Sequence, residues 1–311
     1  MHAINLVRTG VATVLLVCST AQAQLFRAYL AADGTDANPC TLPAPCRLLP
    51  AALAAVANGG EIWMLDSANY NTTTVTIGKS VSILAVPGAV GSVVAIGGPA
   101  ISITAGSLTV ALRNLVIVPM AGVGGPYGVS MTGLSTLTIE DSLIANLPGD
   151  GVYVSGTGTV KIANTTLRNN GDYAVWAQNG ANVSISGTKM LGNWNGGVAA
   201  VGSKATTTTA VVSDSITSGG AYAAVASTTV AGATAQVFVT RSTIENVFSA
   251  LESETTGVGS AVVSVSNSMI TKNAYAWYQS GAGTVIESAG NNHIRGNVNA
   301  PGGTLTNVGL Q

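Results

Sequence analysis

The stretch from Val160 to Asn170, VKIANTTLRNN, decides the fold of this chain. It opens with the alternation of Val160, Lys161 and Ile162, which is typical of a β-strand with one buried face. A short polar segment then leads to the aliphatic Leu167, and two asparagines follow it. Asparagine tolerates the left-handed backbone conformation that a sharp turn needs. The stretch therefore predicts a strand, an internal aliphatic anchor and a tight turn.

The same pattern recurs through the second half of the chain, and each copy ends on an aliphatic anchor. The anchors are Ile144, Leu167, Met190, Ile216, Ile244, Ile270 and Ile294. They are separated by 23, 23, 26, 28, 26 and 24 residues. A period of this size indicates a solenoid. We expect successive coils to stack strand on strand in parallel sheets about 4.8 Å apart, with the anchors in one internal column.

A further alternating stretch follows each turn and predicts the next strand of each coil. We expect Val152, Val175 and Val198 to point inward, together with Ala224 of the next coil. Asparagines also recur just after the anchors, as at Asn169. Because a solenoid must turn at the same point in every coil, this recurrence supports a stack of coils.

The N-terminal part differs from the repeats. Residues 1–23 read as a signal peptide, since an apolar stretch from Val11 to Val17 precedes Ala21-Gln22-Ala23, a cleavage site of small-x-small form. Cleavage near Ala23 predicts a secreted or periplasmic protein. Residues 24–74 read as an N-terminal cap that includes a helix over Leu48–Asn58, and residues 75–311 as the coils. The mature chain contains no segment that reads as a membrane span.

The cap region holds two cysteines, Cys40 and Cys46, in a proline-rich stretch. In an exported chain, two nearby cysteines are most simply joined in a disulfide. The competing interpretation is a metal site, but two thiols without a nearby histidine make a poor one. We therefore predict a Cys40–Cys46 disulfide and no metal.

Residues Asp33–Ala57 resemble the N-terminal cap of pectin-lyase-like right-handed β-helix proteins, with an Asn-Pro-x-Thr-like run before a helix. The later Asn-Ser-x-Ile-x-x-Asn copies are similar to the parallel β-helix repeat. The resemblance implies an all-β fold, a single-stranded right-handed parallel β-helix with a short N-terminal capping helix. It does not imply one activity, because the superfamily includes lyases, hydrolases, adhesins and phage tailspikes.

The charged residues give little sign of catalysis. They make up 8% of the chain and the net charge is -1, which excludes a basic nucleic-acid surface. Lyases and hydrolases of the superfamily use acidic residues clustered on neighbouring coils. This sequence lacks that pattern: Asp150, for example, aligns with Tyr173 in the next coil. We therefore expect most acids to be solvated turn residues. His293 is the only histidine after the signal segment and sits at a variable repeat position. We expect no catalytic site, metal or cofactor.

Tyr153 and Trp176 form the best candidate binding site. They occupy equivalent places in adjacent coils, so their rings would lie together on the outer face, where an aromatic ring can stack on a sugar ring. Asp150, Asp172 and Gln178 lie near enough in sequence to bond sugar hydroxyls. The alternative is two ordinary surface aromatics that cover one another.

These observations favour an exported β-solenoid binding or structural protein that presents a face to a polysaccharide or cell-surface glycan. The alternative is a polysaccharide lyase or glycoside hydrolase with a divergent site. Trp277 and Tyr278 invite the same aromatic argument near the C-terminus. The last coil shows no clear cap, which predicts either self-association or binding of a partner there.

Overall fold

The structure, a computed structural model, describes residues 24–104 and 106–309, so the predicted signal peptide lies outside the described residues. It contains one helix and thirty-one strands in that range. In chain order the elements are β1 (Leu25–Leu30), α1 (Leu49–Ala55), β2 (Val56–Met64), β3 (Ala68–Asn69), β4 (Val75–Ile77), β5 (Val81–Ala85), β6 (Gly91–Ala95), β7 (Ile101–Ile103), β8 (Thr109–Arg113), β9 (Leu115–Pro119), β10 (Val129–Thr132), β11 (Thr136–Glu140), β12 (Leu143–Ala145), β13 (Val152–Ser155), β14 (Thr159–Ala163), β15 (Thr166–Arg168), β16 (Tyr173–Gln178), β17 (Asn182–Ser186), β18 (Lys189–Leu191), β19 (Gly196–Gly202), β20 (Thr207–Ser213), β21 (Ile216–Ser218), β22 (Tyr222–Thr228), β23 (Thr234–Thr240), β24 (Thr243–Glu245), β25 (Ser249–Thr255), β26 (Ser260–Ser266), β27 (Met269–Thr271), β28 (Tyr275–Ser280), β29 (Thr284–Ser288), β30 (His293–Ile294) and β31 (Leu305–Asn307).

The strands form three sheets, and each of the nine complete coils, from β2 to β28, contributes one strand to each sheet. The twelve-stranded sheet begins with β1 and β2, continues with every third strand from β5 to β29, and ends with β31. The ten-stranded sheet contains every third strand from β3 to β30, and the nine-stranded sheet every third strand from β4 to β28. Neighbouring strands are parallel, as β14 and β15 are with the strands stacked on them. The fold is therefore an all-β right-handed parallel β-solenoid of about nine turns, which confirms the predicted solenoid.

The predicted anchors form one column inside the ten-stranded sheet, with one exception. The column contains Ile144, Leu167, Met190, Thr217, Ile244, Ile270 and Ile294 in register. The assignment of Ile216 as an anchor was wrong, because Thr217 fills that position and is buried. Ile216 is 40% exposed and pairs with Lys189 on the outside.

A ladder of buried hydroxyl groups explains this register. In each coil the residue two places before the anchor donates its hydroxyl to the carbonyl two residues earlier, at 2.7–2.9 Å. The same oxygen accepts a backbone N–H from the preceding coil at 3.1–3.5 Å. The ladder consists of Ser142, Thr165, Thr188, Ser215, Ser242 and Ser268. Ser215 therefore fixes its coil so that Thr217 points inward.

The predicted asparagine turn lies at the next corner. Asn146, Asn169 and Asn246 have φ values of 62°, 54° and 57°, in the left-handed region that asparagine tolerates. The next position along the chain holds a buried asparagine in three coils, at Asn170, Asn193 and Asn273. The Asn170 side-chain N–H donates to Oδ1 of Asn193 at 2.9 Å, which links two coils along the axis.

The third corner joins the nine-stranded sheet to the twelve-stranded sheet and varies in length. Between β13 and β26 it lengthens from three residues to four or five. Its segments are 156–158, 179–181, 203–206, 229–233 and 256–259. The first corner keeps two residues from β11 to β27, so the longer spacing between later anchors arises at the third corner and in the longer strands beside it, such as β22 and β23.

The N-terminal region contains a helix, but a shorter one than predicted. Helix α1 ends at Ala55, because Val56 already belongs to β2, which pairs with β1 in the twelve-stranded sheet. Its Leu49 and Leu53 are buried against the first coils. That this helix caps the solenoid stays a prediction. The Cys40–Cys46 disulfide is present, and both cysteines are buried.

At the other end, the final segment of the chain runs over the last coil. Strand β31 pairs with β29, and Gly302 exchanges backbone hydrogen bonds with Trp277 and Gln279. Part of the terminal strand edge is thus already paired, and self-association through this coil stays a prediction. Within the described residues, no helix has the length and hydropathy needed to cross a membrane.

A pair of alanine substitutions tests the register. We expect Ile244→Ala to lower the free energy of unfolding by about 2–5 kcal/mol, because it opens a cavity in the anchor column. Ile216→Ala should change it by about 0.5 kcal/mol or less, because that side chain is outside. Urea unfolding followed by circular dichroism measures both. Equal losses in the two variants would contradict the register.

Candidate functional site

One outer surface of the solenoid collects most of its aromatic side chains. It is the outer face of the nine-stranded sheet between β10 and β28, and we call it the aromatic face. Its rings come from six coils, and several of them pack into an apolar cluster separate from the interior core. The aromatic face comprises Tyr127, Tyr153, Tyr173, Trp176, Tyr222, Phe248, Tyr275 and Tyr278.

The sheet register arranges these rings in columns. Tyr153 and Trp176 are direct partners on neighbouring strands, as the sequence predicted. The same column continues through Ala199, Val225 and Glu252 to Tyr278. A second column holds Tyr173, Gly196, Tyr222, Ser249 and Tyr275. Trp277 points the other way, since it pairs with Leu251 and packs against the core.

The stacked ring pair differs from the one the sequence suggested. The Tyr153 ring stacks on Tyr127, with ring centroids 4.7 Å apart and planes inclined by 16°. Trp176 contacts Tyr173 at 5.4 Å with an inclination of 57°. Tyr127 escaped notice because it precedes β10 in a coil whose repeat motif is weak.

Gln178 lies beside the stacked pair. Its side-chain N–H donates to the Tyr153 hydroxyl and, at 3.4 Å, to the Ser155 hydroxyl. The amide therefore orients the Tyr153 ring through a hydrogen bond. Its carbonyl oxygen remains an acceptor that a ligand hydroxyl could reach.

The two predicted aspartates lie at the edge of the same surface. Asp150 is 3% exposed, and its Oδ1 accepts the backbone N–H of Tyr173 at 3.0 Å. Asp172 accepts a hydrogen bond from Asn195 at 2.7 Å. Burial, and then the nearby charge of Asp172, raise the pKa of Asp150 to about 7. The expectation of a solvated acid was therefore wrong for Asp150, because the next coil covers it.

A second acid is also buried on this surface. Glu252 is 8% exposed and lies with four rings around a cavity of about 330 Å³. Those rings belong to Tyr222, Phe248, Tyr275 and Tyr278. Burial is the main cause that raises the pKa of Glu252 to about 7, and a hydrogen bond with Ser249 opposes it. The expectation of a solvated acid was wrong here too.

Sequence reasoning missed this cavity. The signal that could have found it is the spacing of Tyr173, Tyr222 and Tyr275, which are 49 and 53 residues apart. Each spacing equals about two coils, so every second coil places a tyrosine in the same column. A search for a one-coil repeat does not detect this alternation.

The aromatic face is acidic and lacks basic groups. Glu252 and Glu254 lie on β25, Asp150 and Asp172 lie just before their strands, and no Lys or Arg occurs in the described strands of the nine-stranded sheet. No group of three or more His, Cys, Asp or Glu side chains in the described part of the chain is placed to hold a metal. His293 is exposed on another sheet, next to Met269. The surface suits a flat, neutral or cationic ligand.

Comparison with known proteins places the chain among β-helices. A family model described as "Right handed beta helix region" matches residues 127–299. No curated protein sequence matches the chain.

Solved structures of similar fold are distant in sequence. Pectate lyase Pel9A is 14% identical with a TM-score of 0.60, over 92% of this chain and 78% of that one. XylC, solved in complex with xylose, is 9% identical with a TM-score of 0.64, over 86% of this chain and 70% of that one. Alginate lyase from Paenibacillus sp. str. FPU-7 is 13% identical with a TM-score of 0.63, over 91% of this chain and 100% of that one. At such identity the likeness shows the fold alone.

The buried Asp150 predicts a pH dependence of stability. Its raised pKa means that the folded protein keeps a proton that the unfolded chain loses, so stability should fall as pH rises from about 4 to about 7. Asp150→Asn keeps the acceptor for Tyr173 but removes the titration, so its stability should fall less over this range. Urea unfolding midpoints at pH 4.5 and pH 8 measure this change in stability, and Asp33→Asn, at an exposed aspartate, is the control. If Asp150→Asn loses as much stability between the two pH values as the natural chain does, the prediction is wrong.

Proposed function

We propose, for a chain that belongs to the right-handed β-helix family, that it is an exported binding protein whose aromatic face holds a neutral polysaccharide or cell-surface glycan. One observation carries the proposal. The aromatic rings run along the solenoid axis from the coil of β10 to β28, six strand steps or about 29 Å. A surface of that length can contact several sugar residues in a row.

The chemistry of the rings supports sugar binding. The stacked pair of Tyr127 and Tyr153 presents a flat apolar surface, and Trp176 adds a larger ring on the next strand. A pyranose ring has an apolar face that can lie against such rings, while its hydroxyls need hydrogen-bond partners at the rim. We expect Gln178, which bonds the Tyr153 hydroxyl, and Asp172, which accepts from Asn195, to supply those partners.

The charge of the surface indicates which glycans would bind. Four carboxyl groups lie on or beside the aromatic face and no basic side chain lies on its strands. A polyanion such as pectate or alginate would be repelled there. Two of the structurally similar proteins are named for those polymers, whereas a third was solved with xylose, a neutral sugar. We therefore favour a neutral glycan as the ligand.

Export fits the same proposal. Cys40 and Cys46 form a disulfide, and disulfides persist in the oxidising environment outside the cytoplasm. A secreted or periplasmic protein would also meet the glycans that the aromatic face is proposed to hold.

Substitution of the central rings tests the binding face. We expect Trp176→Ala and Tyr153→Ala each to weaken binding of a neutral hexasaccharide by about two- to tenfold, the loss of one ring contact. Phe238→Ala is the matched control, because Phe238 is 37% exposed on the outer face of the twelve-stranded sheet. Calorimetric titration with xylohexaose and cellohexaose measures the affinities. Equal losses in all three variants would contradict the proposal.

Ligand charge provides a second test. We expect hexagalacturonate to bind at least about tenfold more weakly than a neutral hexasaccharide at low salt, with the difference shrinking as salt screens the carboxylates. Titrations at two salt concentrations measure this. Tighter binding of the anionic sugar would contradict a neutral ligand. Release of reducing or unsaturated ends from these sugars would indicate the alternative, a glycoside hydrolase or polysaccharide lyase.

A further inference from the structure

We infer that the cavity on the C-terminal half of the aromatic face is a binding site for an alkylammonium group, held by four aromatic rings around one carboxylate. We call it the aromatic cage, and it consists of Tyr222, Phe248, Tyr275, Tyr278 and Glu252. These residues differ from Tyr153 and Trp176. The cage lies on the same aromatic face as the proposed glycan site, so the inference deepens that proposal, and variants in the cage test it separately from variants at Tyr153 and Trp176.

The strand register creates the space in the cage. Ser249 lies between Tyr222 and Tyr275 in the same column, so a small side chain separates two tyrosines. Those tyrosines stand on strands two steps apart, or about 9.6 Å. The strand separation leaves room for a small cation between the two side chains, and cation–π attraction is significant within roughly 6 Å of a ring centre.

The rings meet at steep angles, as the walls of a cage must. Phe248 and Tyr275 have centroids 5.2 Å apart and planes inclined by 67°. Tyr275 and Tyr278 are 6.2 Å apart with an inclination of 68°. In each of these edge-to-face pairs the edge of one ring lies against a face of the other, so a cation would contact the ring faces that remain open to the cavity.

Glu252 supplies the negative charge of the cage. It lies in the column of Val225 and Tyr278, and it is largely removed from solvent. The ion pairs among the described residues join Arg27 to Glu61, Arg113 to Glu140, Arg241 to Asp214 and Lys272 to Glu245. None of these pairs neutralises Glu252. Because burial raises the pKa of Glu252 to about 7, the group is mostly ionised only above that pH, and a bound cation would stabilise its carboxylate form.

The donor set selects an organic cation over a metal ion. Ca²⁺ and Mg²⁺ need six or more oxygen ligands, whereas the cage offers one carboxylate and mainly ring faces. Aromatic faces with one acid suit a weakly hydrated ammonium group that carries carbon substituents. Two sources share this chemistry: the amine of an amino sugar within a glycan, and a quaternary ammonium such as that of choline.

Paired probes that differ only in charge test the inference. Choline and 3,3-dimethylbutan-1-ol have the same shape, and we expect choline to bind at least about tenfold tighter. Glu252→Gln should remove most of that preference and leave the neutral alcohol unchanged. Tyr278→Ala should weaken choline several-fold, whereas Trp176→Ala should leave it unchanged. Calorimetric titration of the full mature chain measures these affinities.

A second pair of probes distinguishes the sources. A glucosamine hexamer that binds tighter than its N-acetylated counterpart, with the difference lost in Glu252→Gln, would identify an amino sugar. A preference confined to choline would identify a quaternary ammonium. If neither cationic probe binds better than its neutral counterpart to the natural chain, or if Glu252→Gln retains the preference, the inference is wrong. Thermal unfolding of each variant verifies folding.

Discussion

Every coil of this solenoid must lie directly over the coil before it, and this requirement governs the rest of the structure. A slip of one residue would turn each inward side chain to the outside. Backbone hydrogen bonds between parallel strands fix most of the register, but they leave polar groups at the corners that cannot remain unpaired in a buried position. The hydroxyls of the Ser142 to Ser268 ladder satisfy those groups, each bridging a carbonyl of its own coil and an N–H of its neighbour. The corner chemistry is thus as important for the fold as the aliphatic column.

This ladder also explains how far the sequence could predict the fold. The period and the alternation correctly indicated a parallel solenoid, and Leu167 and Ile270 were correctly placed inside. Ile216 was misplaced because an aliphatic side chain looked like the anchor, whereas the hydroxyl of Ser215 decides which neighbour points inward. Helix α1 was drawn too long because alanine favours a helix and cannot reveal that Val56 pairs with β1. In both places tertiary pairing outweighed a local preference.

Part of the candidate site could be predicted from the sequence and part could not, again because of contacts between distant residues. Tyr153 and Trp176 were recognisable because they repeat after one period. Tyr222, Glu252 and Tyr275 were not, because they alternate over two coils and because burial of an acid depends on neighbours far away in sequence. A solenoid makes such sites easily: any residue at a given place in the repeat joins a column along the axis. Substitutions in separate coils can therefore build one continuous surface without changing the fold.

The three corners of the coil differ in how much change they can accept. The first corner, bound by the hydroxyl ladder, keeps two residues in every coil from β11 to β27, so an added residue there would break contacts with both neighbouring coils. The other two corners vary: the second shortens from nine residues at 120–128 to three at 219–221, and the third grows from three at 156–158 to five at 229–233. Because both of these corners border the nine-stranded sheet, variation in chain length falls on the two rims of that surface. Related chains could therefore carry longer loops beside this surface, which would restrict the ligands that fit it, while the interior of the solenoid stays the same.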